Sequence, residues 1–83
     1  MSRKDQLLAR LKSMPKDFTF DELKTLLGLL GFILVEAGKT SGSRVTFKLG
    51  EKVIMLHKPH PRKEILVQYL KRIEEDLRKG GLI

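Results

Sequence analysis

Two alternating stretches on either side of a glycine leave this chain little choice of local structure. From Thr40 to Phe47 small or polar residues alternate with Val45 and Phe47, and Ile54 to His57 alternates again until Lys58, Pro59, His60 and Pro61 interrupt it. A period of two is the signature of a β-strand with one buried face. With Gly50-Glu51 as a two-residue loop, Gly50 occupies the position where a type II′ turn requires a positive φ. That loop fixes a register: Leu49 faces Lys52, Lys48 faces Val53, Phe47 faces Ile54, Thr46 faces Met55, Val45 faces Leu56 and Arg44 faces His57. Cross-strand partners share a face. One face of the hairpin therefore carries Val45, Phe47, Ile54 and Leu56, suited to a core, and the other carries Arg44, Thr46, Lys48, Met55 and His57. A functional site is expected on the second face.

The flanking segments supply the partners for the apolar face. Ser2 to Met14 places Leu7, Leu8, Leu11 and Met14 on one helical stripe, with Ser2 as a cap, Asp5 three residues on, and Pro15 as a stop. A basic amphipathic helix can lie on a membrane, but this stripe is short and holds no aromatic residue, so core packing is the expected role. Thr19-Phe20-Asp21-Glu22 is a capping box. Phe20, Leu23, Leu26, Leu27 and Leu30 then repeat at helical spacing up to Gly31, a left-handed C-cap. Gly28 inside this helix points to a close approach by a neighbouring element. Phe32 to Ala37, rich in β-formers, reads as a first strand. After the hairpin, Pro61 suits the first turn of a last helix, whose stripe is Ile65, Leu66, Tyr69, Leu70, Ile73 and Leu77, and Gly80-Gly81 ends it. Leu82 and Ile83 are expected to fold back onto the core.

The order helix, helix, strand, strand, strand, helix predicts an α+β fold, a three-stranded antiparallel sheet with helices packed on one face and the other face open. Residues 1–83 form a single domain in this reading, 1–15 being an N-terminal helical extension. At this size the core must come from packing alone, since there is no cysteine for a disulfide or a thiolate metal site. A chain without cysteine, without a run of about 20 apolar residues and without the apolar core of a signal peptide is expected in the cytoplasm, away from membranes.

Charge points to the partner. The formal charge is +7, and between Gly38 and Lys63 seven cations (Lys39, Arg44, Lys48, Lys52, Lys58, Arg62 and Lys63) meet the single acid Glu51. The excess belongs to the hairpin and its flanks, and it favours a polyanion without choosing between nucleic acid, an acidic protein and a membrane surface. The loop Gly38 to Gly42 lacks the Walker spacing and leads into a strand, which argues against a nucleotide site. His57 and His60 stand at a strand end, where histidines are most often solvated, and a His-x-x-His pair alone is too few ligands for a metal. No metal and no cofactor are expected.

Gly42-Ser43 before an alternating strand, a glycine turn, a strand ending in His57-Lys58-Pro59-His60-Pro61 and a last helix closing on Gly-Leu-Ile resemble the HicA family of toxins. Leu30-Gly31-Phe32, where a helix meets the first strand, fits the same pattern, and the resemblance runs from about Phe20 to Ile83. It implies a double-stranded-RNA-binding-like fold, ribosome-independent cleavage of mRNA, and neutralisation by a HicB-type antitoxin. The family's active histidine follows the Gly-Ser pair, and here that position holds Arg44. A guanidinium keeps its proton in a protein, so Arg44 can hold phosphate but cannot act as a base. His57, directly across the hairpin, is the candidate replacement, because an imidazole titrates near neutrality and serves as acid or base without a metal. Arg44 and His57 are thus the expected catalytic residues, and Lys39, Ser43, Arg44, Lys48, Lys58 and His60 the expected RNA contacts.

Two other readings remain open at the level of sequence. In one, the same face binds RNA or an antitoxin without chemistry, the family's histidine having been lost. In the other, the basic face chiefly serves an acidic antitoxin, which competes with RNA for it.

Overall fold

The computed structural model describes residues 2–36, 44–57 and 63–83, with Glu36 and Arg44 entering through their backbone alone. Its elements are α1 (Arg3–Lys12), α2 (Phe20–Leu29), β1 (Ile33–Glu36), β2 (Arg44–Leu49), β3 (Lys52–His57) and α3 (Val67–Lys79). The expected α+β order is the observed one, with a three-stranded antiparallel sheet in the order β1-β2-β3.

The hairpin register is the one counted from the sequence, from Leu49 opposite Lys52 to Arg44 opposite His57. Gly50 has φ +60, and Glu51 is not left-handed, which is the backbone of a type II′ turn. β1 adds to the far side of β2 with Ile33 opposite Lys48, Leu34 opposite Phe47, Val35 opposite Thr46 and Glu36 opposite Val45. Leu34, Phe47 and Ile54 therefore form one row on the covered face, where Phe47 and Ile54 are buried and Leu34 is partly so. Val45 and Leu56 pack against the same core from its margin.

The helices form where capping and apolar spacing agree. The Asp5 N–H donates to the Ser2 hydroxyl at 3.2 Å, starting α1, and Leu7 and Leu11 are fully buried while Leu8 and Met14 are partly so. α1 ends at Lys12 with Ser13 as its C-cap, and Met14, just after the cap and before Pro15, takes the left-handed conformation common at helix ends, with φ +52. Thr19 and Glu22 complete a reciprocal capping box at α2, Glu22 N–H to Thr19 Oγ1 at 3.1 Å and Thr19 N–H to Glu22 Oε1 at 3.0 Å. At its other end Gly31 has φ +106, and the Phe32 N–H reaches the Leu27 carbonyl at 2.9 Å, a Schellman closure that only a residue without Cβ adopts cheaply.

Three expectations are revised. Gly28 meets no neighbour: a Cβ built there has nothing within 4 Å, so the glycine does not mark a close approach. α3 begins at Val67, well after Pro61, because the segment before it is committed elsewhere. Thr19 and Glu64 form an antiparallel bridge, the Ile65 N–H donates to the Phe18 carbonyl at 2.8 Å, and the Phe20 N–H donates to the Lys63 carbonyl at 2.9 Å. Those bonds hold 63–65 extended and bury Ile65 and Phe18 together in the core. The stripe of α3 is accordingly narrower than its spacing suggested, Leu70, Ile73 and Leu77 being buried while Leu66 and Tyr69 are exposed. Leu82 and Ile83 do pack against the core. The Gly38 to Gly42 loop and the Pro59 to Pro61 strand end lie outside the described residues.

Phe20 links the two layers. Its ring centroid is 6.3 Å from that of Phe47, tilted by 44°, so the first turn of α2 is set directly on the middle of β2. The buried residues of the sheet, Phe47 and Ile54, lie on that side, while Ile33, Val35, Val53 and Met55 on the other side are exposed.

Candidate functional site

The open face follows from the two registers read together. Its rows run Ile33, Lys48, Val53; then Val35, Thr46, Met55; then Arg44 beside His57. The central strand contributes a polar and cationic column, Arg44, Thr46 and Lys48, while the outer strands contribute apolar columns. Ile33 is 68% exposed, Met55 63%, Val53 48% and Val35 39%, so the apolar columns are solvent-facing. They form two short apolar strips, one on each side of the polar column of β2.

His57 lies exposed at the end of β3 and helps to line a groove of about 430 Å³ between that strand and α3. Arg72, Ile73 and Asp76 form the helical wall. The Arg44 backbone stands directly across the ladder from His57, so the two positions share the open face. Lys48 is exposed two residues further along the same strand. Of the other expected contacts, Lys39, Ser43, Lys58 and His60 lie outside the described residues. Among the described residues no group of three or more histidine, aspartate or glutamate side chains is placed to hold a metal ion. No described helix is long and apolar enough to cross a membrane.

A cluster of charged side chains lies away from this face, between α1 and α2. Arg10 in α1 reaches Glu22 in α2, Nε to Oε2 at 2.8 Å, and Asp17, Nη2 to Oδ1 at 3.2 Å, with its guanidinium 5.7 Å from the Phe18 ring centroid. Partial burial pushes the Glu22 carboxyl up, but the Thr19 N–H, the Arg10 guanidinium and the Thr19 hydroxyl together pull it below the usual carboxylate range. This cluster fixes α1 to the start of α2. It is structural rather than part of the open face.

A search against protein families matches residues 20–82 to the HicA toxin of bacterial toxin-antitoxin systems. The chain belongs to the HicA toxin family. The match takes in α2, the whole sheet and α3, and it begins just beyond α1, so the HicA unit is the part that carries both the open face and the groove. Membership makes this a toxin of a toxin-antitoxin pair. Neither the curated proteins nor the solved structures yield a match.

Within the HicA unit, the sequence had placed Arg44, Lys48, Met55 and His57 on one face, and the register puts them there. The counted register already implied Val53 there, opposite Lys48, but the sequence missed Ile33 and Val35 on that face and Arg72 and Asp76 in the groove wall. β1 reads Ile-Leu-Val-Glu, an apolar run without alternation, so nothing in it says which side chains face outward. The groove depends on how α3 lies against β3, which no local pattern records.

Proposed function

We propose that this HicA-family protein binds RNA on the open face of its sheet and cleaves mRNA there without a metal, and that a HicB-type antitoxin neutralises it. The observation that carries the reading is the pairing of Arg44 with His57 across the central ladder, in a chain whose family is that of toxins. In the chemistry inferred, His57 removes the proton from a ribose 2′-hydroxyl, the freed oxygen bonds to the adjacent phosphorus as the P–O5′ bond breaks, and the products are a 2′,3′-cyclic phosphate and a 5′-hydroxyl whose proton comes from water. Arg44 and Lys48, with Lys39, Ser43, Lys58 and His60 on the flanks, hold the phosphates and stabilise the charge that develops on the one being attacked. An mRNA substrate places the activity in the cytoplasm.

The test is RNA cleavage by purified protein with and without a chelator, comparing the unaltered chain with His57→Ala and His57→Gln. Loss of cleavage in both variants, with the chelator making no difference, is the expected result. Cleavage that persists in the His57 variants removes this residue from the mechanism. Arg44→His restores the family's usual residue and is expected to retain or raise the rate.

A second reading has one specific observation in its favour, the arginine at the family's histidine position. In that reading the face binds RNA or an antitoxin without chemistry. Binding that falls steeply with salt while the RNA stays intact is its signature.

A further inference from the structure

β3 is an edge strand whose outer side no described residue pairs with. In a two-residue hairpin the residues flanking the loop exchange both backbone hydrogen bonds, and bonded and non-bonded pairs alternate from there. Leu49 and Lys52 flank this loop, so the N–H and C=O groups of Val53, Met55 and His57 point away from β2, toward the groove. Edge strands are normally protected by a bulge, a proline or a central charge. β3 keeps an unbroken register over all six residues, contains no proline, and carries Lys52 only at its turn end. It is an intact template for one more strand.

The groove wall carries two opposite charges. Arg72 and Asp76 sit one helical turn apart on either side of Ile73, both exposed, and neither joins an ion pair among the described residues. Asp76 also lines the neighbouring cleft with Lys52, Val53 and Gly80, so α3 runs antiparallel to β3, with Arg72 toward His57 and Asp76 toward Lys52. A two-fold axis through Ile54 sets each Arg72 facing the Asp76 of the other copy. The same axis pairs Val53 with Met55 through both outward backbone bonds, and Glu51 with His57, keeping covered and open faces continuous. A surface complementary to itself about a two-fold axis is what an isologous interface requires.

We infer that this groove and the β3 edge take a second copy of the chain, antiparallel about Ile54, joining two three-stranded sheets into one of six. The charge distribution permits it despite the overall +7, because the β3 edge carries only Lys52, beside Glu51, and is neutral from Val53 to Leu56. The joined open face would present two Arg44-His57 pairs on one continuous surface. The inference does not depend on RNA cleavage.

Sedimentation of the full chain across a concentration series tests it, alongside Arg72→Glu, Asp76→Arg and the double variant. A reversible rise from the 9.5 kDa monomer to twice that mass is expected. Each single reversal sets like charges face to face in two symmetric places and is expected to weaken association about 10-fold or more, while the double variant restores it. Amide exchange should slow at Val53 and Met55 as the dimer forms. A chain that remains monomeric overturns the inference, as does a dimer indifferent to the two reversals. Protection of β3 that appears only with an added acidic protein overturns it too, and assigns the edge to that partner.

Discussion

Leu11→Ala tests whether α1, which the family match leaves out, is an appendage or part of the core. Leu11 is fully buried, as is Leu7 one turn before it, and both belong to the same cluster as Leu26, Phe47 and Leu70. Removing three carbons from water-excluded surroundings forfeits about 2.4 kcal/mol at roughly 0.8 per methylene. A residual cavity of roughly 80 Å³ adds about 2 kcal/mol at about 24 cal/mol per Å³, and partial collapse reduces that, giving a loss of about 3–4 kcal/mol. Alanine is the better helix former, so no propensity cost enters. A domain of this length has about 4–12 kcal/mol in all. Urea unfolding followed by circular dichroism should show a much lower midpoint with an unchanged slope, and Lys12→Ala, at an exposed position of the same helix, should shift it by less than about 0.5 kcal/mol. A loss below about 1 kcal/mol for Leu11→Ala, or a smaller slope with a preserved midpoint, would refute the reasoning. Either result would mean that α1 detaches while the rest stays folded.

Gly28→Ala is expected to stabilise the protein by about 0.5–1 kcal/mol, since the added methyl group meets open space on an exposed turn of α2; a thermal melt rising by about 2–8 °C is the check. Gly50→Ala has equal room but the wrong backbone, so it is expected to cost about 1 kcal/mol, whereas Gly50→Asn should cost less. Glu22 binds its proton less readily folded than unfolded, so its stabilisation is present at neutral pH and is lost as pH falls below the ordinary glutamate range and through the depressed folded value. Glu22→Gln keeps the cap but removes the charge facing Arg10; it should lower stability at pH 7 by about 0.5–1 kcal/mol and flatten the acid limb of a stability-pH curve. Lys48→Glu should reduce RNA affinity across sequences and lower the magnitude of the salt slope by about one, without a change in the melting temperature that accounts for it.

The hairpin and two helix ends were determined by the sequence because their causes are local. A two-residue turn sets register by counting, a capping box satisfies named amides, and alternation assigns Phe47 and Ile54 to one side and Lys48 and Met55 to the other. Arg44 opposite His57 came from the same counting, so that pairing was legible in the sequence alone. What the sequence could not determine depends on contacts between distant segments. The extended backbone at 63–65 follows from its bonds to Phe18 and Phe20, more than 40 residues earlier, and those bonds override the helical spacing of Ile65 and Leu66. The outward faces of Ile33 and Val35 follow from pairing with β2, because an unbroken apolar strand carries no sign of which side will be covered. The β3 edge and its groove were decided last, by the course of α3: backbone groups become free, and Arg72 and Asp76 become a symmetric pair, only once the sheet has an end and a helix lies beside it.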